Sequence, residues 1–341
     1  MPNHALPRHA AGFAASMTLT LALGLALAMA QPARAQPVTA ASGTRVITLG
    51  TQGGPLPSRG RAQPANAVVV NGAVYLVDAG NGVMRQLVLA GLDYRRVDHI
   101  FITHQHDDHN ADWGTLMGLQ WSTGRRKPVT VHGPFGTESM LQGFLQYFAP
   151  NARIRSAEAP MGGAPANLFK AMDVQPGAVV YQDANVKVSA IEVCHYHFDL
   201  TKLGGEPHKA LAYRFETADK VVVFSGDTGV CGNLAEFAKG ADILVHEVVS
   251  LPLIEASLRA FMASQPDQVQ PGLFANLMTH MREDHTVPED IGRLAKAAGV
   301  KKLVLSHFVP GRDGEPESAY TDGAKTTFDG PVVAARDLME H

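Results

Sequence analysis

The chain has 341 residues, with 29 lysines and arginines against 32 aspartates and glutamates and a formal net charge of −3. That length allows one large domain or two small ones with a sizeable buried core, and no stretch reads as a linker between two. The balanced charge leaves no basic footprint for a phosphate backbone, so no nucleic acid is expected as a partner.

Residues 1–35 differ in composition from the rest: Arg8 and His9 precede an Ala/Leu-rich run over residues 10–30. This is the pattern of a signal peptide, with cleavage expected after Ala30 or Ala35 and an uncleaved anchor as the alternative. Ser16, Thr18 and Thr20 interrupt the apolar run too often for a convincing membrane span. The expected location is periplasmic or secreted, with no stable membrane insertion after processing and a single domain over residues 44–341.

The domain opens with β-type runs at residues 45–49, 67–70 and 73–77. Asn71-Gly72 between the last two predicts a hairpin, because a type I′ turn needs positive φ at both central positions. Helical spacing follows over 83–90, then strand-like 99–103, helix-like 112–120, strand-like 128–132 and helix-like 138–147. A Pro/Gly-rich irregular stretch is expected over 150–177. Strands return at 186–193, 210–215 and 221–224, the last two as a hairpin. The remainder reads as helix 233–239, strand 242–246, a helical insert around 253–262, helix 288–298 and strand 302–306. Thr286 and Glu289 have capping-box spacing before the 288–298 helix. Two half-chains, each β-rich and then alternating, predict two facing sheets with helices outside.

The chemistry concentrates in Thr103-His104-Gln105-His106-Asp107-Asp108-His109, between a strand and a helix. Three imidazoles and a carboxylate within six residues cannot be packed together cheaply without an ion to order and neutralise them. The set suits zinc, with manganese or iron as alternatives. Later strands end in Cys194-His195-Tyr196-His197, Ser225-Gly226-Asp227-Thr228 and Ser306-His307-Phe308, each placed to supply a further ligand. The two cysteines, Cys194 and Cys231, are expected to be inert buried thiols, with a disulfide or metal ligation as alternatives. His99, His132, His280 and His341 are assigned, with His4 and His9, to packing, solvent or processing.

These motifs, in this order, resemble the metallo-β-lactamase superfamily over nearly the whole mature chain. The resemblance implies an αββα sandwich of two facing mixed sheets with two divalent metal ions at one edge. His104, His106 and His195 would hold the first ion, Asp108, His109 and His307 the second, and Asp227 would bridge them. His197 lies two residues beyond His195; the strand ending at Cys194 favours His195, leaving His197 behind the ligands.

Ala241-Asp242-Ile243-Leu244-Val245-His246-Glu247 and His285-Thr286 look like motifs of the branch holding tRNA 3′-processing endonucleases and secreted arylsulfatases. In that branch, the resemblance implies, Glu247 orients His285, which faces the substrate. His246 is expected to make a buried structural hydrogen bond. Asp108, His285 and Glu247 are thus the expected catalytic residues, with Asp108 also a ligand. The expected activity is hydrolysis of small esters, aryl sulfates first and phosphodiesters second. The alternatives are a lactonase, thioesterase or β-lactamase on the same ligands, a ribonuclease Z-like endonuclease, and a periplasmic metal-binding protein without catalysis. Trp113, Trp121, Phe144, Tyr147 and Phe148 fit helix cores better than a substrate pocket.

Overall fold

In the computed structural model, which describes residues 43–341, β1 (Arg45–Gly50) pairs antiparallel with β2 (Ala65–Val70), which turns into β3 (Ala73–Val77). Asn71 and Gly72 both have positive φ, 51° and 78°, as the tight turn requires. The signal peptide expected over residues 1–35, with His4 and His9, lies outside the described residues.

From β3 the chain builds right-sized crossovers. Helix α1 (Val83–Leu89) leads to β4 (Val97–Phe101), and α2 (Asp107–Asn110) and α3 (Trp113–Ser122) to β5 (Val129–Gly133). Then α4 (Thr137–Glu158) and α5 (Pro165–Leu168) lead to β6 (Phe169–Asp173). Each crossover carries helix, so β3, β4, β5 and β6 run parallel, as strands joined by crossovers must. An antiparallel set follows: β7 (Ala178–Gln182), β8 (Lys187–Val193), β9 (Ala210–Glu216) and β10 (Val221–Phe224). After α6 (Leu234–Phe237), β11 (Ile243–Val249) is followed by a helical pair, α7 (Leu251–Ser264) and α8 (Leu273–Glu283). The chain ends with α9 (Pro288–Ala298), β12 (Leu303–Val309), α10 (Ser318–Thr327), β13 (Val332–Ala334) and β14 (Met339–Glu340).

Two seven-stranded sheets result, ordered β14-β1-β2-β3-β4-β5-β6 and β13-β12-β11-β10-β9-β8-β7. Strands β2, β11 and β12 are buried along their whole length, as in a sheet covered on both faces. Tyr75, Phe101, Tyr213, Phe215 and Val245 fill the space between the sheets. Leu76, Ile100, Leu116, Trp121 and Val131 pack the first sheet's outer face against its helices, and Leu244, Ile291, Leu305 and Ala324 do the same for the second. The αββα expectation holds. Among the described residues no helix is long and apolar enough to cross a membrane.

Three local expectations give way to packing. Helix α4 runs on through Pro150 to Glu158, although a proline there leaves the Gln146 carbonyl without its donor, a loss of about 3 kcal/mol in an exposed helix. Leu141, Phe144, Phe148 and Ala152 on its inner face join the first sheet's core, which offsets that loss. Second, Thr286 caps nothing: its hydroxyl donates to the Thr228 carbonyl at 2.6 Å, and Val287 holds the cap position with Pro288 opening α9. Third, β6 and β7 occupy segments whose periodicity was too short to read, and α8 and α10 form where no helix was expected.

Candidate metal centre

The loops that leave β4, β8 and β10, and the ends of β11 and β12, all meet at one end of the sandwich. His104, His106 and His195 converge there: His106 Nδ1 lies 3.0 Å from His104 Nε2 and 3.1 Å from His195 Nε2. A second group forms beside it, with His307 Nε2 3.3 Å and His109 Nε2 3.5 Å from Asp108 Oδ2. Asp227 stands between them. Its Oδ2 is 3.1 Å from His307 Nε2 and 3.9 Å from both His104 and His195 Nε2, and its Oδ1 is 3.3 Å from His109 Nε2. All seven residues expected as ligands are thus brought together, and His195 rather than His197 enters the first group.

The two groups differ in charge. Burial holds the His104 imidazole well below its usual range and His195 down to about 3, so both are neutral, the form that donates a lone pair to a metal. Around the second group burial pushes the same way, but the carboxylates win: Asp227, Asp108 and Asp78 hold His109 well above its usual range, and Asp227 and Asp108 lift His307 to about 10. His109 Nε2 and Asp227 Oδ1, 3.3 Å apart, are buried without a well-aligned hydrogen bond, beside a small cavity of about 30 Å³ that Asp78, Glu247 and His307 also line. Buried polar atoms left unpaired around such a space fit the donor set of a bound ion.

Outer contacts fix the rings. Asp78 accepts from Thr103 N at 2.8 Å and from His109 Nδ1 at 2.9 Å, a contact that sets which nitrogen faces the cage. The Asp284 carbonyl does the same for His195 Nδ1 at 2.8 Å. Asp78 and His307 sit at φ 61° and 47°, a left-handed conformation costing about 1 kcal/mol or more in a non-glycine residue. Gly53 permits His307 to sit where it does, since a Cβ there would lie 2.7 Å from the His307 ring.

Glu247, near the end of β11, accepts from Thr286 N at 2.9 Å through Oε1. Its Oε2 lies 3.3 Å from His285 Nδ1, and neither atom has another partner among the described residues. Burial opposes a charged His285, but Glu247 outweighs it and raises the imidazole above its usual range. A His285 nitrogen also lies within 4.8 Å of His195 and Asp227 donor atoms. His246, as expected, makes a buried structural bond, Nδ1 donating to the Glu247 carbonyl at 2.7 Å.

Sequence reasoning missed Asp78, Asp284 and His280. Asp78 ends a β-run in Val77-Asp78-Ala79-Gly80, a position where strand ends supply functional carboxylates. His280, assigned to packing or solvent, lies 5.2 Å from His285 between ring centroids. The cysteines are corrected too: Cys194 and Cys231 form a disulfide with Cα atoms 5.5 Å apart. Thr228 Oγ1 accepts from Cys194 N and the Cys194 carbonyl from Gly229 N, so hydrogen bonds join the same two loops that the bridge links. Of the aromatics, Trp113 and Trp121 are core, whereas Tyr147 is 84% exposed. With Phe144 and Phe148, Trp113 and Tyr147 border an open groove of about 830 Å³ between α3 and α4, lined by none of the seven candidate ligands.

Residues 74–308 match the family described as Beta-lactamase superfamily domain. The chain belongs to that superfamily. Within it, Ribonuclease Z of Mycobacterium sp. (strain KMS) is 30% identical over 295 residues, covering 86% of this chain and 94% of that one. Among solved structures, the metallo-beta-lactamase fold protein YhfI from Bacillus subtilis is 19% identical with a TM-score of 0.60, covering 87% of this chain and 98% of that one. Human tRNase Z, short form, is also 19% identical, with a TM-score of 0.59 and the same coverage. The superfamily's fold implies divalent metal binding, and the hydrolase expectation stands at that level. The exclusion of nucleic acid is overturned: relatives of this superfamily member are named as ribonucleases, so overall charge balance was the wrong criterion. A net charge of −3 says nothing about the local field around one end of a sandwich.

Proposed function

We propose that this superfamily member is an exported, metal-dependent phosphodiesterase of the ribonuclease Z type, with RNA as its substrate class. The observation that carries the reading is the buried Glu247–His285 pair, 3.3 Å apart beside the cage, in a chain that is 30% identical to a Ribonuclease Z over 295 residues. His104, His106 and His195 would hold one ion, Asp108, His109 and His307 the other, with Asp227 shared. Two divalent ions, zinc first, supply Lewis acidity and a water made nucleophilic at neutral pH.

The chain's own residues do the rest. Glu247 is fixed by Thr286 N and faces His285 Nδ1, so the proton available to substrate sits on His285 Nε2. That proton goes to the departing alkoxide oxygen when the P–O bond breaks, and Glu247 stabilises the imidazolium until then. Burial of the pair keeps bulk water from that proton.

Aryl sulfate esters come second, since a sulfate presents the same anionic oxygens to the same donors. The test compares kcat/KM for an RNA precursor, a bis-nitrophenyl phosphodiester, nitrophenyl sulfate, a lactone, a thioester and nitrocefin, before and after chelation. Chelator-sensitive cleavage of both phosphodiesters above the rest is the expected result. A sulfate, lactone or β-lactam preferred over both sinks the phosphodiesterase reading.

A further inference from the structure

Outside the cage, one carboxylate holds two histidines. Asp284 accepts from His280 Nδ1 at 2.6 Å through Oδ2 and from His197 Nδ1 through Oδ1. The Asp284 side chain is 11% exposed, whereas those of His280 and His197 are 34% and 46% exposed. The same residue's carbonyl fixes His195, so this arrangement is built onto the ligand shell. Helix α8 delivers His280 to it, with ring centroids 5.2 Å from His285, 5.6 Å from His195 and 6.4 Å from His106. A half-exposed histidine alone would simply face water. Two of them on one buried carboxylate, at the rim beside His285, have fixed tautomers.

The fixed tautomer decides what they recognise. In its neutral form an imidazole that gives its Nδ1–H to a carboxylate keeps Nε2 as a lone-pair acceptor, unlike His285, whose charge Glu247 favours, and an acceptor at that rim pairs with a hydroxyl rather than with a bare phosphate oxygen. Neither ring has a second hydrogen-bond partner among the described residues.

We propose that His280, with His197 beside it, accepts a hydrogen bond from a hydroxyl group next to the scissile ester, and so selects ribonucleotides over their 2′-deoxy counterparts. Asp284 is the positioning residue. The proposal rests on the phosphodiesterase reading and gives it a specificity element. A site that pairs a substrate hydroxyl leaves its own acceptor unpaired when the hydroxyl is missing. At a half-exposed rim the expected discrimination is about tenfold.

The test uses the zinc-loaded protein and two readouts. Calorimetry gives the affinity for uridine 3′-monophosphate against 2′-deoxyuridine 3′-monophosphate. Cleavage gives kcat/KM for a short RNA against the same RNA with one 2′-deoxynucleotide at the scissile position. The wild type should prefer the ribo form about tenfold in both. His280→Ala should bring both ratios near one, His280→Gln should restore part of them through its amide oxygen, and Asp284→Asn should lower them with the fold intact by thermal unfolding. A wild-type ratio of one, or a ratio kept by His280→Ala, overturns the proposal. RNA cut without ribose preference defeats this inference and spares the phosphodiesterase reading. RNA left uncut while the ribonucleotide is still preferred in calorimetry does the reverse.

Discussion

The two halves of the cage hold their histidines by opposite means. His104, His106 and His195 pack edge to face at centroid distances of 4.7–5.0 Å, and burial disfavours charge on all three. His109 and His307 are embedded among Asp78, Asp108 and Asp227, which favour positive charge there. The contrast teaches that the first half is organised by desolvation and the second by anions. Three carboxylates make the second half the more favourable place for positive charge.

The sharpest way to break this contrast is to remove the group both halves share. Asp227→Ala should take bound metal from two ions to one or fewer and reduce turnover by on the order of 10³-fold. Elemental analysis after equilibration with excess zinc checks the stoichiometry, and two ions retained would show that Asp227 joins nothing. Next in size is His285→Ala, expected to keep both ions yet lose roughly 10²–10⁴-fold in kcat on an ester with a poor leaving group. An unchanged kcat on that ester rejects the proton-donor role.

A smaller change discriminates between the halves directly. Asp78→Ala removes the acceptor of His109 Nδ1, and the second half should lose about 10–100-fold in metal affinity while the first keeps its own. Competition with a chromophoric chelator resolves the two steps; equal weakening of both would mean that the halves are not separately organised.

The smallest effect concerns histidines far from either half. His132 is buried against His99, their nitrogens 3.1 Å apart, and burial with that neighbour holds His132 down to about 3. Its unfolded value is about 6.5, so this contribution to stability is whole above pH 6.5 and is lost as the pH falls toward 3. His132→Phe should therefore show a shallower fall in Tm between pH 7 and pH 4 than the wild type. Parallel curves would place the acid sensitivity elsewhere.

Most of the cage was legible because its residues are close in sequence or close a strand. His104, His106, Asp108 and His109 share one loop, and His195, Asp227 and His307 each end a β-type run, so period-2 patterning located them. Glu247 and His285 came from resemblance, and their packing distance had no local trace. What stayed hidden depends on contacts across the chain: Asp284 meets His197 across 87 positions, and only the packing of α8 brings His280 beside His195 and His285. The disulfide was undecidable for the same reason, since Cys194 and Cys231 meet only because β8 and β10, which flank β9 and run the same way, end at the same edge of the sheet. Partner class was misread because net charge averages over a surface whose chemistry is confined to one end.

The Cys194–Cys231 bridge also acts before folding is complete. It closes a loop of 37 residues, which in a chain-entropy description removes about 4 kcal/mol of freedom from the denatured ensemble. His195 follows one cysteine and Asp227 lies four residues before the other, so that loop tethers two ligands in a chain with no sheets yet formed. An oxidised denatured chain therefore meets a cation with part of its coordination shell already gathered, at a raised effective concentration. A reduced chain must collect the same two groups by diffusion, which makes the oxidation history of the polypeptide a determinant of how fast it takes up metal.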